Sequence, residues 1–189
     1  MKRCYWGVFF LLSLLITGCR ASGKSNKVPP TAKTDIPVLT VTCSAFRDGE
    51  TIPKKYTCDG VETSPDLQWS GTPSGAKSLV LIVDDPDAPN GTWVHWVLFN
   101  IPPDLNGLPE GVIQGLTVKG IGLQGRNSSS NNGYNGPCPP KGNPHHYFFK
   151  LYALDVLLDL DPGSSKAQLE KAMTGHILAQ GQLVGTYGR

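Results

Sequence analysis

Two apolar runs on either side of an acidic turn constrain this chain more than any other stretch. Leu79–Val83 is wholly apolar, residues 84–91 read DDPDAPNG, and Trp93–Ile101 is a second apolar run with a single histidine inside it. Short runs rich in Val, Ile, Trp and Phe, broken by Pro, Asn and Gly, form buried strands joined by a loop. Side chains alternate along a strand, so Trp93, His95, Val97 and Phe99 are expected on one face and Val94, Trp96 and Leu98 on the other. His95 is then an ionisable group in an apolar strand, close to Asp84, Asp85 and Asp87. Such a group needs a partner or a task.

A chain of 189 residues has room for one domain with extensions, and 39% hydrophobic residues suffice for a core. Its 22 glycines and 16 prolines favour many turns, and so short strands over long helices. The formal net charge of +2 is unevenly spread, because residues 39–189 hold 11 basic and 14 acidic side chains. A weakly acidic domain without a basic stripe lacks the electrostatic footprint of a nucleic-acid binder.

Residues 1–18 combine a basic start (Lys2, Arg3) with the apolar stretch Tyr5–Ile16, too short for a comfortable membrane span and suited to a signal-peptide core. The stretch ends Leu15-Ile16-Thr17-Gly18-Cys19, which resembles a bacterial lipobox. That resemblance implies cleavage after Gly18, diacylglyceryl modification of Cys19 and a place in the cell envelope, anchored to a membrane. Residues 19–38 are Ser/Lys/Pro-rich with little to bury, and read as a lipidated N-terminus and flexible tether. Residues 39–189 form the domain.

Along the domain, strands are expected at Val38–Thr42, Leu67–Trp69, Leu79–Val83, Trp93–Ile101, within Gly111–Val118, at His146–Val156 and at Gln182–Tyr187. Pro102–Pro109 reads as a turn region, and Gly120–Gly142 as a long irregular loop of the kind that usually carries function. Ser165–Met173 is the one convincing helix: Ser165 and Gln168 make a capping box, and Leu169, Ala172, Met173 and Ile177 an apolar stripe. His176 is read as structural on that apolar side.

A second histidine site lies in the strand beginning at His145. Alternation sends His145, Tyr147, Phe149 and Leu151 one way and His146, Phe148 and Lys150 the other. An imidazole and a phenol side by side at the mouth of an apolar face make a small polar site. The glycines of the preceding segment, residues 133–142 (GYNGPCPPKG), could bring backbone N–H groups close to a ligand.

Taken together, Asp85-Pro86-Asp87-Ala88-Pro89, Trp93-Val94-His95, residues 133–142, His145 and Tyr147 resemble the phosphatidylethanolamine-binding protein family, in its bacterial and archaeal Raf-kinase-inhibitor-like branch. Residues 56–60 (YTCDG), Ser64-Pro65, Trp69 and the C-terminal residues 175–187 add to the likeness. The resemblance implies a mainly β fold, an antiparallel β-sandwich with Greek-key connections and a few peripheral helices. It also implies a small surface cavity for an anion such as phosphate or a phosphorylated head group. By motif position the lining falls to Asp85, His95, Gly136, His145 and Tyr147, with Asp87, Pro89 and Trp93 around the rim. A cis bond at Ala88-Pro89 belongs to the same implication. Carboxylates repel an anion, so either Asp85 orients a histidine behind the site, or the ligand is zwitterionic, with its phosphate on His95, His145 and the Gly136 amide.

Gly120-Ile121-Gly122-Leu123-Gln124-Gly125 fits a dinucleotide fingerprint, but no helix follows it. No metal-binding spacing is present, and no cofactor is implied. After export the domain keeps Cys43, Cys58 and Cys138, an odd count that leaves at least one thiol free or intermolecular. Because Cys58 and Cys138 both sit in family-like motifs, the resemblance favours them as a pair. The leading expectation is a membrane-anchored, non-catalytic binding protein for a small anionic or phosphorylated ligand. The alternative is an envelope regulator or inhibitor of a protein such as a peptidase. An enzyme ranks third, since no G-x-S-x-G elbow and no nucleophile beside a base can be identified. Relatives of the bacterial branch include homodimers, so a dimer is a further expectation.

Overall fold

The structure, a computed structural model, describes residues 36–189. The expected signal segment, Cys19 and most of the tether lie outside the described residues. Among the described residues the strands are β1 (Thr40–Thr42), β2 (Leu67–Ser70), β3 (Ser78–Asp85), β4 (Trp93–Ile101), β5 (Gly107–Leu108), β6 (Thr117–Val118), β7 (Gly122–Gln124), β8 (His145–Leu154) and β9 (Ile177–Tyr187), with one α-helix, α1 (Lys166–Met173), and a single 3-10 turn at Lys54–Tyr56. They form a three-stranded sheet in the order β1-β2-β5 and a six-stranded sheet in the order β6-β7-β4-β3-β8-β9, with every pair of neighbours antiparallel.

The apolar run at Leu79–Val83 becomes the middle of the larger sheet, and every residue of β3 is buried. Leu79, Leu81 and Val83 face the core shared with Val41, Leu67, Trp69 and Leu108 of the smaller sheet. Val80 and Ile82 face the other way and meet Val97, Phe99, Leu169 and Met173, so α1 covers the outer face. The capping box is present: Ser165 Oγ accepts from the Gln168 amide, and Gln168 Oε1 accepts from the Ser165 amide at 2.9 Å.

Five readings of the sequence are corrected. In β4, strict alternation fails, because the register slips between the Val83–Trp96 and Asp84–Val94 pairs. The extra residue is His95, a β-bulge that puts two consecutive side chains on one face. His95 packs edge-on to Tyr147, and Trp96 to Tyr134, so both look inward with Leu98, while Val94, Val97 and Phe99 look outward. A second slip admits Asn100 at φ 54°, whose side chain bonds the Leu158 amide and carbonyl.

Asp84 and Asp85 belong to β3 rather than to the turn. The expected strand within Gly111–Val118 shrinks to Thr117–Val118, while Gly107–Leu108 and Gly122–Gln124 pair as strands inside the expected turn and loop. Ile177 opens β9 instead of extending α1, and His176, just after the helix, bonds Asp155 at 2.8 Å. No peptide bond among the described residues is cis, so Ala88–Pro89 is trans.

Leu169 is fully buried and is the main anchor of a helix only eight residues long. Leu169→Ala is therefore expected to cost about 2–5 kcal/mol in a denaturant titration, with the residues of the inner core keeping their near-UV signal.

Candidate functional site

Three neighbouring strands deliver the site's polar groups to one end of the larger sheet. β3 ends at Asp85, β4 begins at Trp93, and β8 begins at His145. Asp85 pairs with Trp93 across one ladder, and Asp84 with Phe148 across the other, which brings Asp85 beside Tyr147. The inward alternation expected for β8 holds along its length: His145, Tyr147, Phe149 and Leu151 are buried, while His146 is exposed.

Asp85 is 3% exposed, and both of its oxygens are engaged. Oδ2 accepts from His145 Nδ1 at 2.8 Å, and Oδ1 accepts from the Asp87 amide at 2.8 Å. The carboxylate thus holds a ring on one side and closes the Pro86–Asn90 turn on the other. His95 is 4% exposed, and its Nδ1–H donates to the Asn135 carbonyl at 2.7 Å while its own carbonyl accepts from the Asn135 amide at 2.9 Å. With Nδ1 committed in both rings, each presents Nε2 as its remaining polar atom, without a protein partner among the described residues.

These groups line a cavity of about 300 Å³, together with Glu62, Ala88, Pro89, Trp93, Asn135, Gly136, Tyr147 and the Cys58–Cys138 disulfide. Tyr147 is 1% exposed, and its hydroxyl has no hydrogen-bond partner among the described residues. Burial, then the charge of Asp85, holds that phenol well above its ordinary range, so it stays protonated and can donate. Burial holds the His95 imidazole below its ordinary range, against the opposing pull of the Asn135 carbonyl. Among the described residues, no lysine or arginine lines the cavity.

Of the residues expected at the site, Asp85, Pro89, Trp93, His95, Gly136, His145 and Tyr147 line this one cavity. Asp87 does not. Its carboxylate turns outward to accept from the backbone amide and Nδ1 of His146, at 2.9 and 2.7 Å, and that pair holds the Asp87 carboxyl below its ordinary range.

Gly136 is present in a different capacity from the one expected. Its N–H donates to Glu62 Oε1 at 3.0 Å and so faces a carboxylate already. A Cβ at Gly136 would lie 2.7 Å from the Tyr56 carbonyl oxygen and 2.9 Å from Glu62 Cγ, so glycine is what lets the two loops close. Glu62, which sequence reasoning missed, holds this wall: it sits at φ 60° and also accepts from Asn135 Nδ2 at 2.8 Å. No periodicity marks such a loop residue. Asn135 lay within the motif and was open to inference.

Because the unfolded chain protonates histidine near pH 6.5 while folded His95 resists it, the unfolded state binds the extra proton first as pH falls. Stability is therefore expected to drop as pH goes below about 6.5, by at most about 1.4 kcal/mol per pH unit from this group. His95→Gln, which keeps an amide donor for the Asn135 carbonyl, should flatten that acid limb in denaturation midpoints taken from pH 8 to 5. An unchanged slope would remove the assignment.

The sequence profile described as Phosphatidylethanolamine-binding protein matches residues 42–188. A UPF0098 protein of Methanothermobacter thermautotrophicus is 54% identical over 145 residues, covering 77% of this chain and 95% of its own length. A UPF0098 protein of Pyrococcus horikoshii is 48% identical over 185 residues, covering 86% and 93%. Among solved structures, the homologue from Chlamydia trachomatis shares 44% identity at a TM-score of 0.74, covering 80% of this chain and 98% of that one. E. coli YbcL, described as a new member of the mammalian family, shares 35% identity at a TM-score of 0.72 with the same coverage. Fold, motif order and sequence agree, and the chain belongs to the phosphatidylethanolamine-binding protein family.

Proposed function

We propose that the protein is a membrane-anchored, non-catalytic binding protein whose cavity takes a small phosphorylated or otherwise anionic head group. One observation carries this reading: Nε2 of His95, Nε2 of His145 and the Tyr147 hydroxyl all belong to one cavity, and none has a protein partner among the described residues. The His145 ring, held from behind by Asp85, and the Tyr147 phenol are two polar groups placed to meet phosphate oxygens. A space of about 300 Å³ suits a head group and not acyl chains.

The walls narrow the ligand further. Glu62 and Asp85 are carboxylates; Asp85 is paired with His145, but among the described residues no lysine or arginine lines the cavity to offset Glu62. A zwitterion that brings its own amine suits such a cavity better than a bare dianion, with Trp93, 41% exposed at the rim, offering a ring face to the cationic end. The lining also argues for binding over turnover. The Ser129 hydroxyl donates to Asn135 Oδ1 at 2.6 Å, both cysteines are bonded to each other, and Tyr147 is held protonated. That leaves no activated nucleophile among the described lining residues. Anchoring through Cys19 places this head-group site at a bilayer surface of the cell envelope.

Calorimetry with inorganic phosphate and O-phosphorylethanolamine should give millimolar or tighter binding. His145→Ala should weaken it roughly tenfold or more, the scale of one lost charge-assisted hydrogen bond. Absence of binding by both compounds would reject the head-group reading. Recovery of an envelope protein that depends on Trp93 would then favour the regulator instead. Cys19→Ser should move the full-length protein from the membrane to the soluble fraction.

A further inference from the structure

The Cys58–Cys138 disulfide forms part of the cavity wall, and its surroundings are not those of an inert staple. Cys138 is exposed and Cys58 half-buried, so a reagent can reach the bond from solvent. The Arg189 guanidinium lies over both sulfurs, with Nη1 3.1 Å from Cys138 Sγ and 3.8 Å from Cys58 Sγ. A guanidinium there stabilises whichever sulfur becomes a thiolate. Asp59 shares that cation, 3.7 Å from Nε, and is itself bonded by the Tyr187 hydroxyl, which fixes the arrangement.

The same two loops are tied in other ways. Cys58 N donates to the Pro137 carbonyl, the Tyr134 hydroxyl to the Tyr56 carbonyl, and the Gly136 amide to Glu62. Breaking the S–S bond leaves these three links, so the domain keeps its fold while the Cys138–Pro140 edge of the cavity loses its covalent hold.

We propose that Cys58–Cys138 is a reversible thiol–disulfide modification site for dithiol reductants, and that its redox state sets how well the cavity holds its ligand. A reductant thiolate attacks Cys138 Sγ, the S–S bond breaks, and its electron pair leaves on Cys58 as a thiolate beside Arg189. The reductant's second thiolate then attacks its own sulfur in the mixed disulfide, releasing Cys138 as a thiolate. Two electrons pass to the protein, the reductant departs as a disulfide, and its two protons go to solvent or to the new thiols. With Pro139 and Pro140 no longer clamped, the cavity loses pre-organisation and affinity falls. The affinity half rests on the head-group reading above, whereas the thiol chemistry does not.

The test is native reduction by excess dithiothreitol, followed by maleimide mass shifts and circular dichroism. The folded protein should gain two reactive thiols beyond Cys43. Arg189→Ala should slow their appearance several-fold, Arg189→Lys should recover part of the rate, and neither should alter ligand affinity of the oxidised form. O-phosphorylethanolamine should bind the reduced protein, and the Cys58→Ser/Cys138→Ser variant, roughly threefold or more weakly than the oxidised protein. Thiols that appear only on unfolding, or a rate indifferent to Arg189, would overturn the modification site. Equal affinity in both redox states would overturn its coupling to the cavity. If the oxidised protein binds no phosphorylated compound, the head-group reading fails and the thiol data alone decide the modification site.

Discussion

The site depends on one buried carboxylate. Asp85 stands at the end of a strand whose every residue is buried, and an ionised group there is costly unless its oxygens are satisfied. It accepts once from β8, through His145, and once from its own turn, through the Asp87 amide. The same two bonds that settle the charge also fix the ring's tautomer and shape the turn that carries Ala88 and Pro89 to the rim. Removing the carboxylate would free the ring to rotate, so a packing requirement and a recognition requirement meet in one residue.

His95 obeys the same logic with a neutral partner. The Asn135 carbonyl behind it does for Nδ1 what Asp85 does for His145, and the return bond from the Asn135 amide fastens the long loop to β4. Both rings are thus oriented from behind, one by a charge and one by a dipole. That difference leaves them unequal toward a ligand. Burial disfavours the charged form of His95, so it offers the cavity one nitrogen and resists taking up a charge.

How legible this was in the sequence depends on how regular each element is. β8 alternates without interruption, so its inward set could be read directly from period two. β4 could not, because a single inserted residue reverses every later side chain, and two such slips occur in nine residues. His95 shares the cavity with Trp93, as alternation predicts for those two; the slip then turns Trp96 and Leu98 to that side and takes Val97 and Phe99 off it. Strands of two or three residues, such as Gly107–Leu108 and Gly122–Gln124, exist only because a longer neighbour pairs with them, and no local pattern announces that. Glu62 was hidden for a related reason: its place in the wall comes from a left-handed backbone and two donors more than 70 positions away in the chain.

The missed glutamate changes the electrostatic argument. Had the Gly136 amide been free, the cavity would have offered a backbone anion donor on its loop side. With Glu62 there, the loop side is acidic and the strand side carries the donors, so the cavity is polarised across its width. Among the described residues no ammonium or guanidinium lines the space, so a positive charge facing into it would come from an imidazole. A phosphate alone would gain hydrogen bonds on one wall and repulsion from the other, the second screened only in part at a half-enclosed site. On the proposed reading, a head group with phosphate and amine a few bonds apart would meet both walls with matching charge. The strand wall would then set where the phosphate sits, and the loop wall, held by its turns and by the Cys58–Cys138 disulfide, would set where the amine end sits.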